Sequence, residues 1–381
     1  MSDKKAAEAA EAAAQIDAAM QIAIGASESA RGYTTPNPPV GAVVLDARGT
    51  IAGVGMTQPP GGPHAEVVAL REAGSAARGG TAVVTLEPCN HHGRTPPCSQ
   101  ALIDAGIRRV FYAVGDPNPE AAGGARTLEQ AGVRVLGGVR AEEVERGSLR
   151  AWLHRQRTGR PHVTWKYAAT LDGRSAAADG TSQWITGPRA RARVHAERAK
   201  LDAIVVGTGT VFADDPWLTA RMPDGSLAAH QPLRVVVGTR EIPAEARVLD
   251  DSAPTLVLPT RDVGEVMAAL DGYTDVLLEG GPRLAGAFLA AGRVDRIQAY
   301  LAPIVLGAGS PALVDAGVGT IADAHRFHTE SVETIGPDVL LTLVGPDVSP
   351  ASAGTDSSPG TDNSPGTDNS VGTASPATEA E

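Results

Sequence analysis

His64-Ala65-Glu66, then Thr85-Leu86-Glu87-Pro88-Cys89, then Pro97-Cys98: these runs bring one imidazole, two thiols and a carboxylate into a short span of chain. A closed structural zinc centre takes four protein ligands, whereas His64, Cys89 and Cys98 offer three and leave a position for water. Glu66, two residues past the histidine, is placed to carry protons rather than to complete the ligand set. The chain holds 2 cysteines, both in this constellation, so none remains for a disulfide and a reducing compartment is expected.

The layout is that of zinc deaminases, His-x-Glu followed by Pro-Cys-x-x-Cys, with a longer interval between the thiols. Two inert readings stay open: a buried apolar Cys89 beside a surface His64, and a metal site without catalysis. Around the motif, Val40 to Leu45 and Ile51 to Gly55 read as strands flanking the turn Asp46-Ala47-Arg48-Gly49. Gly62-Pro63 leads into a helix beginning near His64, Thr81 to Leu86 is a further strand, and Cys98 opens a helix closed by Gly106. Ile16, Met20, Ala23 and Ile24 form the packed stripe of an early helix. Asn37, in the turn Thr35-Pro36-Asn37-Pro38, pairs with a heterocycle edge or caps its own turn. His91, His92 and Arg94 are either substrate contacts or a solvated loop.

Beyond the basic, Gly/Pro-containing run 155–161, strands are expected at His162 to Ala168, Ile204 to Gly207, Leu233 to Val237, Thr255 to Leu258, Val276 to Leu278 and Ile297 to Leu301. A helix is expected over Pro188 to Ala199. Short apolar strands alternating with Ala-rich helices predict α/β architecture in both halves. No Gly-x-Gly-x-x-Gly run follows a strand here, which removes the ordinary dinucleotide fingerprint. Glu279-Gly280-Gly281-Pro282 is either a phosphate cradle at a helix start or a tight strand-to-helix turn.

The organisation expected is a flexible extension over 1–15, a first domain over 16–150, a linker over 151–161, a second domain over 162–345 and a disordered acidic tail over 346–381. The tail is read from its Pro, Gly, Ser, Asp and Asn content. Formal charge is -11 with no extended basic face, which argues against nucleic acid as partner. No secretory leader or membrane-length apolar stretch is present, so a cytoplasmic protein without membrane association is expected.

Thr35-Pro36-Asn37-Pro38, His64-Ala65-Glu66 and the whole run Thr85 to Cys98 resemble the N-terminal half of the bifunctional riboflavin-biosynthesis deaminase/reductase family. Lys166 to Arg174, Ser182 to Gly187, Ala213-Asp214-Asp215-Pro216, Leu218 to Arg221 and Glu279 to Pro282 resemble its C-terminal half, in order. The resemblance implies a cytidine-deaminase-like α/β/α domain followed by a dihydrofolate-reductase-like α/β domain. It implies Zn2+ on His64, Cys89 and Cys98 with Glu66 as catalytic proton shuttle and Asn37 against the substrate ring. On the reductase side it implies NADPH lined by Ala168, Trp184, Thr210, Asp214, Thr239 and Gly281, Pro282, Arg283, Leu284, Ala285, Gly286 and Ala287. Ser182, Arg198, Leu218, Arg221 and Glu279 would line the substrate, the two arginines as phosphate binders, and Lys166 is a further polar contact. The substrates implied are small phosphorylated pyrimidines, deaminated and then reduced at the ribosyl group, and the assembly implied is a homo-oligomer. One departure is Gly238-Thr239, where the family often has an aspartate-serine pair; Thr239 keeps a hydroxyl. Two other readings are a nucleoside or nucleic-acid deaminase fused to a reductase-like module, and a zinc-stabilised binding protein.

Overall fold

The computed structural model of the chain describes residues 2–91 and 96–346. His92 and Arg94 lie outside the described residues, as does all but the first residue of the stretch 346–381 expected as a tail. The first half contains α1 (Ser2–Ala30), β1 (Gly41–Leu45), β2 (Ile51–Met56), α2 (Ala65–Ala73), β3 (Thr81–Leu86), α3 (Cys98–Asp104), β4 (Arg109–Val114), α4 (Gly124–Gln130), β5 (Arg134–Leu136), α5 (Ala141–Arg146) and α6 (Arg150–Thr158). The Ala- and Glu-rich opening favours helix at every position. Accordingly α1 runs without a break through residues 2–15 of the stretch 1–15 expected as an extension, and Gln15 Nε2 donates to the Gly49 carbonyl at 2.8 Å. Ile16, Met20, Ala23 and Ile24 are all buried on the sheet, as their spacing requires.

The strands β2-β1-β3-β4-β5 form one sheet, antiparallel across β2-β1-β3 and parallel from β3 onward. β1 and β3 are buried along their whole length, as strands covered on both faces must be. Their neighbours show which helix covers which face. A Cβ on Gly41 would stand 1.9 Å from the Ala23 carbonyl oxygen of α1. On β2, a Cβ on Gly55 or Gly53 would stand 2.1 or 2.2 Å from the Ala65 or Ala69 oxygen of α2. Gly55 is paired with Ala42 and Gly53 with Val44, on the opposite face from Gly41, so the sheet is sandwiched between α1 and α2. Glycine is what lets the α2 backbone lie directly on β2.

The second half contains β6 (His162–Thr170), β7 (Arg174–Ala176), α7 (Pro188–Arg198), β8 (Ala203–Gly207), α8 (Thr208–Asp214), β9 (Leu233–Val237), β10 (Thr255–Leu258), α9 (Val263–Ala269), β11 (Asp275–Leu278), α10 (Pro282–Ala290), β12 (Arg296–Ala302), β13 (Ser310–Pro311), β14 (His328–Ile335) and β15 (Asp338–Val344). Its main sheet has the order β10-β9-β8-β11-β6-β12-β15-β14, parallel as far as β12 and antiparallel beyond. Period-two alternation assigns the central strands to two cores. Val205, Val235, Val276 and Leu278 pack on one face, and Ile204, Val206, Val236 and Leu277 on the other.

The stretch 151–161 is not the linker expected from its basic composition. Helix α6 continues through Thr158 and buries Ala151, Trp152 and Leu153, so apolar packing fixes it and only Gly159, Arg160 and Pro161 join the halves. Further contacts tie them. Arg31 Nη2 donates to Asp275 at 2.9 Å, Lys200 to Glu28 at 3.3 Å, and the Thr35 hydroxyl lies 2.7 and 2.8 Å from the two carboxylate oxygens of Asp202.

Candidate functional site

In the first half, His64 immediately precedes α2 at its N-cap position, its ring free of any capping bond, and Cys98 is the first residue of α3. Cys89 follows β3 by a short loop that is held down: the Ser99 amide donates to the Cys89 carbonyl at 3.2 Å, and the Ser99 hydroxyl to Asn90 at 2.9 Å. These anchors bring the ligand atoms of His64, Cys89 and Cys98 within 4.8 Å of one another. His64 Nδ1 stands 3.5 Å from Cys89 Sγ and 3.3 Å from Cys98 Sγ.

The thiols are unequal. Hydrogen bonding from Cys98 lowers the Cys89 thiol, while that same bond and burial raise Cys98; bonding to Cys89 raises His64. An imidazole and a sulfur already inclined to the thiolate are a donor set for a soft or borderline metal ion, and the residues fit one. Glu66 is 4% exposed, and burial, reinforced by the Cys89 sulfur, pushes its carboxyl up to about 7. A carboxyl near neutrality can both take and give a proton.

His64, Cys89 and Glu66 share a cavity of about 210 Å³ with Asn37. Its other walls include Glu87, His91, Asp116, Asn118, Trp152 and Gln156. Sequence reasoning missed most of these. Glu87 sits in the quoted run, and its carboxylate accepts from the Gly123 and Ala125 amides at 3.2 and 3.0 Å, fastening the loop before α4. Trp152 and Gln156 come from α6, where the apolar run Ala151-Trp152-Leu153 was the available signal.

In the second half, several of the residues singled out follow the ends of β8, β9 and β11, the edge at which parallel sheets bind ligands. Thr210 and Asp214 are on α8, Thr239 follows β9, and Glu279 follows β11. Asp214 accepts from the Ser182 hydroxyl at 3.0 Å. Gly281 caps α10 without a side-chain bond to its amides, and a Cβ placed on it would lie 3.5 Å from Thr210 Oγ1. A glycine-lined helix start with uncapped amides fits a phosphate-bearing cofactor.

The run 281–287 is divided by its helix: Gly281, Pro282 and Arg283 reach the surface, whereas Ala285 and Gly286 are buried. Ala168 is half-buried on β6 beside Tyr300. Trp184 is 68% exposed, with the Arg191 guanidinium 4.4 Å above its ring. Leu218 has φ 54 and a side chain packed among Ile204 and Val211. Arg221 donates to the Gly225 carbonyl at 2.9 Å.

Arg198 differs most from expectation. Its Nε and Nη2 both donate to Glu279 at 2.8 Å, so the paired donors expected for phosphate are engaged by a carboxylate. Lys166 Nζ adds a contact at 3.4 Å. Burial alone would raise Glu279, but Arg198 and Lys166 outweigh it and hold the carboxyl well below the usual range.

Residues 13–114 match the family described as the cytidine and deoxycytidylate deaminase zinc-binding region, and residues 161–341 match the RibD C-terminal domain. Riboflavin biosynthesis protein RibD of Mycobacterium tuberculosis (strain H37Rv) is 60% identical over 329 residues, covering 86% of this chain and 97% of that protein. Its counterpart in Escherichia coli (strain K12) is 42% identical over 362 residues, covering 86% and 98%. Among solved structures, a diaminohydroxyphosphoribosylaminopyrimidine deaminase/5-amino-6-(5-phosphoribosylamino)uracil reductase from Thermotoga maritima superposes with a TM-score of 0.78 at 32% identity, covering 87% of this chain and 99% of that one. Acinetobacter baumannii RibD superposes with a TM-score of 0.76 at 37% identity, covering 87% and 98%.

Proposed function

The chain belongs to the RibD family of bifunctional deaminase/reductases of riboflavin biosynthesis, and from that premise we propose the chemistry of each half. The first half hydrolyses the ring amine of 2,5-diamino-6-(5-phosphoribosylamino)pyrimidin-4(3H)-one, releasing ammonia and the corresponding uracil. The second reduces the ribosyl group of that uracil to ribityl with NADPH. The observation that carries the reading is the convergence of the His64, Cys89 and Cys98 ligand atoms beside the buried Glu66, with His64, Cys89 and Glu66 lining the cavity that holds Asn37.

His64, Cys89 and Cys98 would hold zinc, which supplies Lewis-acid activation of water. Glu66 takes the proton given up by the attacking water and delivers it to the departing amine, and Asn37 orients the ring by its edge. Burial of Glu66 keeps bulk water from competing for that proton.

NADPH, when bound, supplies the hydride that reaches the sugar carbon in its ring-opened form. The uncapped amides of α10 at Gly281 and the hydroxyls of Thr210 and Thr239 bind its phosphates and ribose. Asp214 fixes the Ser182 hydroxyl toward the second substrate, and Leu218 contacts it through backbone. Arg221 is the phosphate binder. Arg198 acts through Glu279, holding that carboxylate ionised and oriented. The functional boundaries are 16–150 and 162–345, with α6 serving both. Cytoplasmic location and a homo-oligomer belong to the same proposal; among the described residues no helix is long and apolar enough to cross a membrane.

The test supplies the diaminopyrimidinone phosphate without nicotinamide and measures ammonia, then supplies the uracil phosphate with NADPH or NADH to the Glu66→Gln variant. Ammonia release in the first and preferential NADPH oxidation to the ribitylamino product in the second are expected. Wild-type protein that consumes no NADPH with the uracil phosphate would overturn the second assignment.

A further inference from the structure

Between the halves lies a cleft of about 370 Å³, distinct from the cavity at Glu66. Its walls carry six arginine or lysine side chains against four carboxylates. Most of the opposite charges are paired: Glu28 takes Arg31 and Lys200, and Asp275 takes Arg31. Arg150 and Arg296 are not matched one to one, because both guanidiniums converge on the single carboxylate of Glu330.

The shortage of acceptors shows at individual atoms. Arg150 is 9% exposed and His162 2%, yet Arg150 Nη1 and both ring nitrogens of His162 have no hydrogen-bond partner among the described residues. The nearest carboxylate oxygen to His162 Nδ1 is on Asp275, at 3.9 Å, too far for a hydrogen bond. A buried polar group without a partner is costly, more so when charged, and a neutral imidazole here leaves one N–H unanswered. Burial, and then the facing Arg296, bring the Arg150 guanidinium down to about 10 even with Glu330 beside it, as expected for two cations sharing one carboxylate.

We propose that this cleft binds an oxyanion of the phosphate class, received by Arg150 Nη1 and the His162 ring N–H, at a site separate from both active sites. A phosphate group presents several acceptor oxygens with distributed negative charge, which is what an unpaired guanidinium nitrogen beside an imidazole donor lacks. Arg150 comes from α6 and His162 from the first residue of β6, so the occupant bridges the joint between the halves and stabilises their contact by mass action. Water alone is the competing occupant.

The test titrates full-length Arg221→Ala protein with inorganic phosphate at constant ionic strength set by chloride, reading heat and melting temperature. The Arg221→Ala background removes the phosphate contact proposed for the reductase. Saturable binding with a rise in Tm is expected, weakened at least about tenfold by adding His162→Phe or Arg150→Gln. Where Arg150→Gln fails to fold, His162→Phe and Arg150→Lys, which keeps the charge without the fork, carry the comparison. Absence of phosphate binding in the Arg221→Ala protein, or binding that none of these changes weakens, would overturn the site.

Discussion

Two buried carboxyls in this chain are driven in opposite directions by their neighbours. Glu66 is desolvated next to sulfur and rises to about 7, whereas Glu279 is equally enclosed but faces Arg198 and Lys166 and stays ionised. The Glu66→Gln variant keeps the shape but cannot shuttle protons; ammonia release is expected to fall by about 10²–10⁴, with metal content by elemental analysis unchanged. For Glu279, a folded-state pKa below the ordinary value contributes stability fully present above pH about 4.5 and lost as pH falls through the lower folded value. Glu279→Gln, which strands two partly buried cations, is expected to destabilise by about 1–3 kcal/mol at pH 7 in urea unfolding. The deficit should narrow only as pH drops below about 4.5; one equally large at acid pH would point to packing instead. His64, Cys89 and Cys98 were legible in the sequence because few other chemistries want those groups at that spacing. The engagement of Arg198 was not, because its partner is brought in from a distant strand and a guanidinium's direction is set only when the sheet assembles.

At the scale of elements, the first half is organised by helix α2 resting on the glycines of β2. Gly55→Ala would drive a methyl into the Ala65 carbonyl, one residue from His64 and Glu66. Overpacking of this kind costs about 1–3 kcal/mol. Relief by shifting α2 should lower metal content and ammonia release together while sparing NADPH oxidation on the uracil phosphate, a pattern that separate assays on one preparation would reveal. The alternation of strands and helices was readable because β1, β3, β8, β9 and β11 are apolar on both faces and bounded by turn residues. Strand β14 was not: its sequence His-Thr-Glu-Ser-Val-Glu-Thr-Ile is mostly polar and exposed, and only pairing with β15 at the sheet edge makes it a strand. Helix α6 escaped notice for a related reason. Its arginines mark it as solvent-seeking, and the burial of Trp152 and Leu153 depends on a surface that exists only after the first half has folded.

At the scale of the molecule, the two sites rest on different physics, one on a metal-ligand set and the other on sheet-edge hydrogen bonding. Stripping the protein with a chelator should abolish ammonia release, restored by added zinc, and leave uracil-dependent NADPH oxidation within about twofold of its starting value. A parallel loss of both would mean that the metal supports the fold of the whole chain. The Thr35 hydroxyl, two residues from Asn37, is held by Asp202 at the foot of β8, and Asp202 also accepts from the Thr274 and Asp275 amides at 2.7 and 2.9 Å. Asp202→Asn is expected to raise KM for ammonia release with metal content unchanged, although the substitution lies in the reductase half. The first half is therefore not a portable cassette: expressed by itself, it would keep every group that performs its chemistry and lose part of the hand that holds the ring in place.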